Sequence, residues 1–177
     1  LAWSRGLGDV YKRQSLGSPD IQFHIQPFSA SAPADGPHKF SAFTASVLQM
    51  RPESTGHIAL KSSDWRDYPA INPNYLATKL DQDTIVKGIQ IARKISQFEP
   101  LKTHITEEFS PGLGIAIDDY DATLQWARET SVTIYHPTGT CKMGQDDMAV
   151  VDARLRVRGI NGPVSYTHLT LPTISSV

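Results

Sequence analysis

The chain has 177 residues, 40% of them hydrophobic and 20% charged, with a formal net charge of −1, which suits one soluble globular domain with a real core. Near-neutral charge without a Lys/Arg-rich run excludes an electrostatic nucleic-acid binder, and no apolar run reaches the roughly 18–20 residues of a membrane-spanning helix. The single cysteine, Cys141, excludes an internal disulfide framework and the usual Cys/His zinc sites, so no metal centre is expected, and it fits a reducing, cytoplasmic compartment.

In chain order, residues 20–28 alternate, with Ile21, Phe23 and Ile25 on one side and Gln22, His24 and Gln26 on the other, the period of a half-buried strand. Residues 29–38 are small and rich in proline, and predict a loop. Residues 40–50 predict a longer strand, 51–56 a tight connection and 57–62 a returning strand, so that the two strands pair antiparallel. Residues 64–75 hold Pro69, Pro73 and two asparagines and predict irregular structure. The clearest helix is 81–98, where Ile85, Ile89, Ala92 and Ile95 recur at helical spacing, Asp81 or Asp83 can cap the first amides, and Pro100 follows. Residues 110–114 predict a turn. A second helix at 121–130 has Asp121 as N-cap and Leu124 and Ala127 in its buried stripe. A β-branched run at 131–135 leads to His136, and short extended stretches at 150–152 and 155–157 close the readable part. Strands before and between two helices predict an α+β domain, with a mixed, largely antiparallel sheet and a few helices on one side.

The two ends are related at the level of DNA. Asp9-Val10-Tyr11-Lys12-Arg13-Gln14 can be written GATGTGTATAAGAGACAG, and the reverse complement of that string encodes Val164-Ser165-Tyr166-Thr167-His168 and begins Leu169. The string resembles a transposon adapter used to prepare DNA libraries. Residues 1–14 and 164–177 are therefore expected to be translated adapter and its flank, with 15–163 the native segment, truncated at both sides. Residues 1–14 also lack the continuous apolar stretch of a signal peptide.

His136 precedes a Pro-Thr-Gly turn at the expected end of a strand, where a side chain is held by the sheet and points beyond it. An imidazole there can take a proton from an alcohol and return it, or can serve structure alone. Cys141 could pair with it as a thiol nucleophile, but a small buried cysteine is the simpler expectation. Gly112-Leu113-Gly114 lacks the strand-before, helix-after setting of a dinucleotide loop. Asp64, Asp67, Asp118, Asp119 and Asp121 lack the order of a calcium loop and suit caps and turns.

Four stretches in order resemble the C-terminal part of the glucose–methanol–choline (GMC) flavin oxidoreductases: Arg51-Pro52-Glu53-Ser54-Thr55-Gly56-His57-Ile58 with Leu60-Lys61-Ser62; Pro69-Ala70-Ile71-Asn72-Pro73-Asn74-Tyr75-Leu76; His136-Pro137-Thr138-Gly139-Thr140-Cys141-Lys142-Met143-Gly144; and Val150 to Ile160. The resemblance spans about residues 19–163 and is strongest to choline-dehydrogenase-like members. It implies a substrate-binding domain over 15–163 and FAD held mainly by an N-terminal domain that this chain lacks. It further implies an alcohol, choline-like or other, oxidised to a carbonyl with hydride passing to the flavin, oxygen or a quinone as final acceptor, and a parent free to associate with a membrane. His136 matches the family's catalytic base. The segment that brings the family's second catalytic residue is replaced here by 164–177, so His168 is not carried over to that role. The fragment alone is expected to be inactive. A stand-alone binding or structural module, with His136 only an anchor, is the alternative, and a cysteine hydrolase using Cys141 and His136 a remote third.

Overall fold

Ile21 and Phe23, 0% and 7% exposed, set the inner face of the central strand. The computed structural model describes residues 7–10 (backbone only), 18–31, 35–136, 139 and 141–160. In it β2 (Ile21–Gln26) lies between β1 (Leu7–Val10) and β3 (Thr44–Gln49), antiparallel to both. The register with β3 runs from Ile21 opposite Gln49 to Gln26 opposite Thr44. Leu7–Val10 falls within residues 1–14, and only its last two residues, Asp9 and Val10, belong to the codon-matched stretch; it pairs with β2 along all four residues. An open edge offers amides and carbonyls to any extended backbone, whatever its side chains. The rest of 1–14, and all of 164–177, lie outside the described residues.

Helix α1 (Lys79–Ile95) packs on β2 and β3 and against α2 (Tyr120–Thr130). Ile21 and Phe23 of β2 and Val86 and Ile89 of α1 are buried, as are Leu124 and Ala127 on α2, whereas Leu48, opposite Gln22 in the register, is buried on the other face of the sheet; each large side chain so buried is worth about 1.5–3 kcal/mol. Gly88 lets the helix approach: a Cβ there would collide with Val47 Cγ1. Lys79 Nζ reaches Asp83 at 2.6 Å and the Tyr120 hydroxyl at 2.7 Å, while that hydroxyl donates to Asp83 at 2.7 Å, tying the starts of the two helices together.

Several boundaries differ from expectation for identifiable reasons. The N-cap of α1 is Thr78, whose Oγ1 accepts from Asp81 N at 3.3 Å, rather than Asp81 or Asp83. The Asp81 carboxylate is turned instead toward residues 49–54. Burial alone would push that carboxyl up, but donors from Ser54, Glu53 and Gln49 outweigh it and hold it below the ordinary aspartate value. The cap of α2 is Asp119, accepting from Ala122 N at 3.0 Å, rather than Asp121. Ile95, at the frayed end of α1, is half exposed, and Arg93 takes the inward position there.

The expected pairing of 40–50 with 57–62 does not form. β4 (His57–Ala59) pairs instead with β5 (Ala70–Asn72), inside the stretch expected to be irregular. Residues 51–56 make no hairpin turn because their backbone amides are drawn to Asp81. The described residues group into two compact units: a helix–sheet body within Leu1–Gly56 and Pro73–Ser131, and a second unit within His57–Asn72 and Val132–Val177. The fold is α+β as expected; among the described residues the strand pairs are antiparallel, and Met143 with Val151 forms an isolated parallel bridge.

Candidate functional site

His136 does not end a strand. Residues 131–134 pair with nothing among the described residues, and Tyr135 adopts φ +63°, a left-handed bend that breaks an extended run. Tyr135 N donates to Thr133 Oγ1 at 3.0 Å and closes the bend locally. His136 emerges just after it, exposed, so its ring is not sealed in the hydrophobic interior. Gly139 turns the chain again at φ +84°; Pro137, Thr138 and Thr140 lie outside the described residues. Cys141 is exposed, which corrects the expectation of a small buried cysteine: it sits on the turn rather than under it. Among the described residues no hydrogen bond joins its thiol to His136, so the thiol–imidazole pair is not assembled.

What anchors this turn lies downstream. Val150 N and Val151 N donate to Lys142 O at 2.8 and 3.3 Å, Gly144 N donates to Val151 O at 3.1 Å, and Arg158 N donates to Val150 O at 3.0 Å. Val151, 2% exposed, also bridges Val157. These bonds bring together the third and fourth motif stretches, which are separate in sequence. The short extended pieces at 150–152 and 155–157 are thereby single bridges around a tight knot rather than strands.

Asp152 closes the knot. It accepts from Arg154 N and Arg156 N at 2.8 and 3.0 Å, and from Arg156 Nε and Nη2 at 2.8 and 2.6 Å. The Arg156 guanidinium and amide, helped by the Arg154 amide, hold its carboxyl down to about 2. Because the folded value is depressed, this contribution is complete above the ordinary aspartate value of 3.8 and is lost as pH falls through about 2. Amide resonances of Arg154 and Arg156 are expected to titrate near pH 2. A midpoint at the ordinary aspartate value would show that the ion pair does not form in solution.

Asp119 caps the N-terminus of α2 and Thr78 that of α1, each side chain accepting from one amide of the first turn. Gly112-Leu113-Gly114 lies in a loop with Leu113 89% exposed, without a strand before it. Asp64 accepts from Arg66 N and Nε, and Asp67 from Ser62 Oγ, turn roles that match expectation. The largest role unforeseen from sequence belongs to Ser54 and Asp81; the Thr-x-x-Asp spacing of 78–81, a capping-box pattern, was the signal available.

The family model described as GMC oxidoreductase matches residues 52–164. An oxygen-dependent choline dehydrogenase of Pseudomonas fluorescens is 37% identical over 169 residues, which cover 96% of this chain and 30% of that protein. One from Serratia proteamaculans is 36% identical over 156 residues, 88% of this chain and 28% of that protein. Among solved structures, pyridoxine 4-oxidase from Mesorbium loti superposes with TM-score 0.68 at 29% identity, over 82% of this chain and 28% of that one. Formate oxidase of Aspergillus oryzae, solved to follow the effect of a mutation on FAD modification, gives TM-score 0.68 at 28% identity, over 82% and 26%. The chain thus spans under a third of the length of these relatives.

Proposed function

The chain belongs to the GMC oxidoreductase family, and we propose that it is part of the substrate-binding portion of an FAD-dependent enzyme that oxidises the CH–OH group of a small alcohol, choline-like or other, to a carbonyl. The observation that carries this reading is the family match over 52–164, which includes the His136 turn and the knot behind it. The choline dehydrogenases and the FAD-bearing formate oxidase among its relatives support the alcohol and the cofactor. FAD, when bound, supplies the acceptor for the hydride. In this reading the FAD diphosphate is held mainly by the remainder of the parent. Exposed Leu60, Trp65 and Tyr68, each more than 80% accessible, support a parent in which more polypeptide packs here. No described helix is long and apolar enough to cross a membrane.

In this reading His136 accepts the hydroxyl proton as the C–H bond breaks, so that an unassisted alkoxide never accumulates. Oxygen or a quinone serves as the parent's final acceptor. The 177-residue chain alone is expected neither to retain FAD nor to oxidise alcohols, whereas a full-length parent should purify with flavin absorbance and turn over an alcohol. Flavin retained by the short chain would remove the division of labour proposed here. A parent without flavin would favour a binding module in which His136 is only an anchor.

A further inference from the structure

The excursion His57–Asn72 leaves the helix–sheet body after Gly56 and returns at Pro73. Its two ends are joined inside the body by a compact set of polar contacts. On the outgoing side, Asp81 Oδ1 accepts from Gln49 Nε2 at 2.7 Å and Glu53 N at 2.9 Å. Asp81 Oδ2 accepts from Ser54 N at 2.8 Å and from the Ser54 hydroxyl. On the returning side, that same hydroxyl accepts from Ala77 N at 2.9 Å and Thr78 N at 3.2 Å.

This is a capping box divided between distant segments. In the usual arrangement the acidic residue three positions after the N-cap reaches back to the N-cap amide. Here Ser54 takes that amide, and Asp81, at 1% exposure, is free to hold the departing chain. The positive end of α1 favours the carboxylate at that place.

A second tie continues the ladder of the excursion. His57 faces Asn72 in the β4–β5 register, so the next like rung would join Thr55 and Asn74. Asn74 has φ +54°, which turns its backbone away, and its side-chain Nδ2 donates to Thr55 O at 3.0 Å in place of the rung.

We propose that Ser54, Asp81 and Asn74 form a clamp across the base of the excursion, which keeps the β4–β5 pairing closed by holding its two ends together rather than through the stability of the helix–sheet core. The inference does not rest on the proposed enzymatic reaction.

Amide hydrogen exchange on the full 177-residue chain tests it. Ser54→Ala is expected to accelerate exchange in β4, β5 and at Ala77 and Thr78 by about tenfold, while amides at the centre of α1 change by less than about twofold. Asn74→Gly removes the second tie while tolerating the left-handed backbone, and should accelerate β4 and β5 by about threefold or more. Ser54→Thr keeps the hydroxyl and should restore most of the protection. Unchanged β4–β5 exchange in both variants would overturn the clamp. So would acceleration that merely keeps pace with the α1 centre, the result expected if these residues only add global stability. Should Ser54→Ala fail to fold, Asn74→Gly gives the same discrimination.

Discussion

Replacing His136 by alanine in a full-length parent is expected to slow alcohol oxidation by about 10²–10⁴-fold, the usual contribution of a positioned acid–base group. The loss should fall on kcat, with KM changing little, because the imidazole acts on a proton in flight and not on the resting substrate. His136 can play this part because the left-handed bend at Tyr135 carries it out of the chain's own packing. Glutamine at the position keeps hydrogen bonding without basicity and should be nearly as slow as alanine. Unchanged turnover in both variants would take His136 out of the reaction and favour the binding-module reading.

Arg93→Ala should lower stability by about 3 kcal/mol, the cost of breaking a largely buried ion pair by removing one partner. Arg93 is 7% exposed and Glu108 27%. The guanidinium donates through Nε to Glu108 Oε1 at 2.7 Å and through Nη2 to Oε2 at 2.8 Å, with a further bond from Nη2 to Ile115 O at 2.7 Å. Its Nη1 has no hydrogen-bond partner among the described residues. One side chain thus pins the loop after the 3₁₀ turn Leu101–His104 to the last turns of α1. Lysine cannot reproduce the two parallel bonds and the carbonyl contact together, so Arg93→Lys should recover only part of the loss. Urea unfolding measures both variants; an alanine cost below about 1 kcal/mol would show that solvent screens the pair.

The helices were legible in the sequence because Ile85, Ile89 and Ala92 recur at helical spacing over two turns, and Leu124 and Ala127 share one face just after an acidic cap candidate. Their caps were not. Several neighbouring oxygens at 78–83 and 119–121 could each satisfy an end amide, and only the long-range demand of residues 53–54 decides that Asp81 serves elsewhere. The same demand hid the strand pairing: 51–56 looks like a hairpin turn until its amides are seen bound to α1. Strand β5 has three residues between Pro69 and Pro73, too few for a period to show. At the candidate site the motif around His136 was legible as a resemblance. The positive φ of Tyr135 was not, since a β-branched run ending in tyrosine promises extended backbone.

A stem fastened at its foot leaves its far end at liberty. Residues 60–68 between β4 and β5 are all exposed, and lengthening such a loop costs little chain entropy once its ends are held. In the 177-residue chain an epitope or a fluorescent label could be grafted at that tip; in a parent whose further polypeptide covers Leu60, Trp65 and Tyr68 the same graft would report that cover by being excluded.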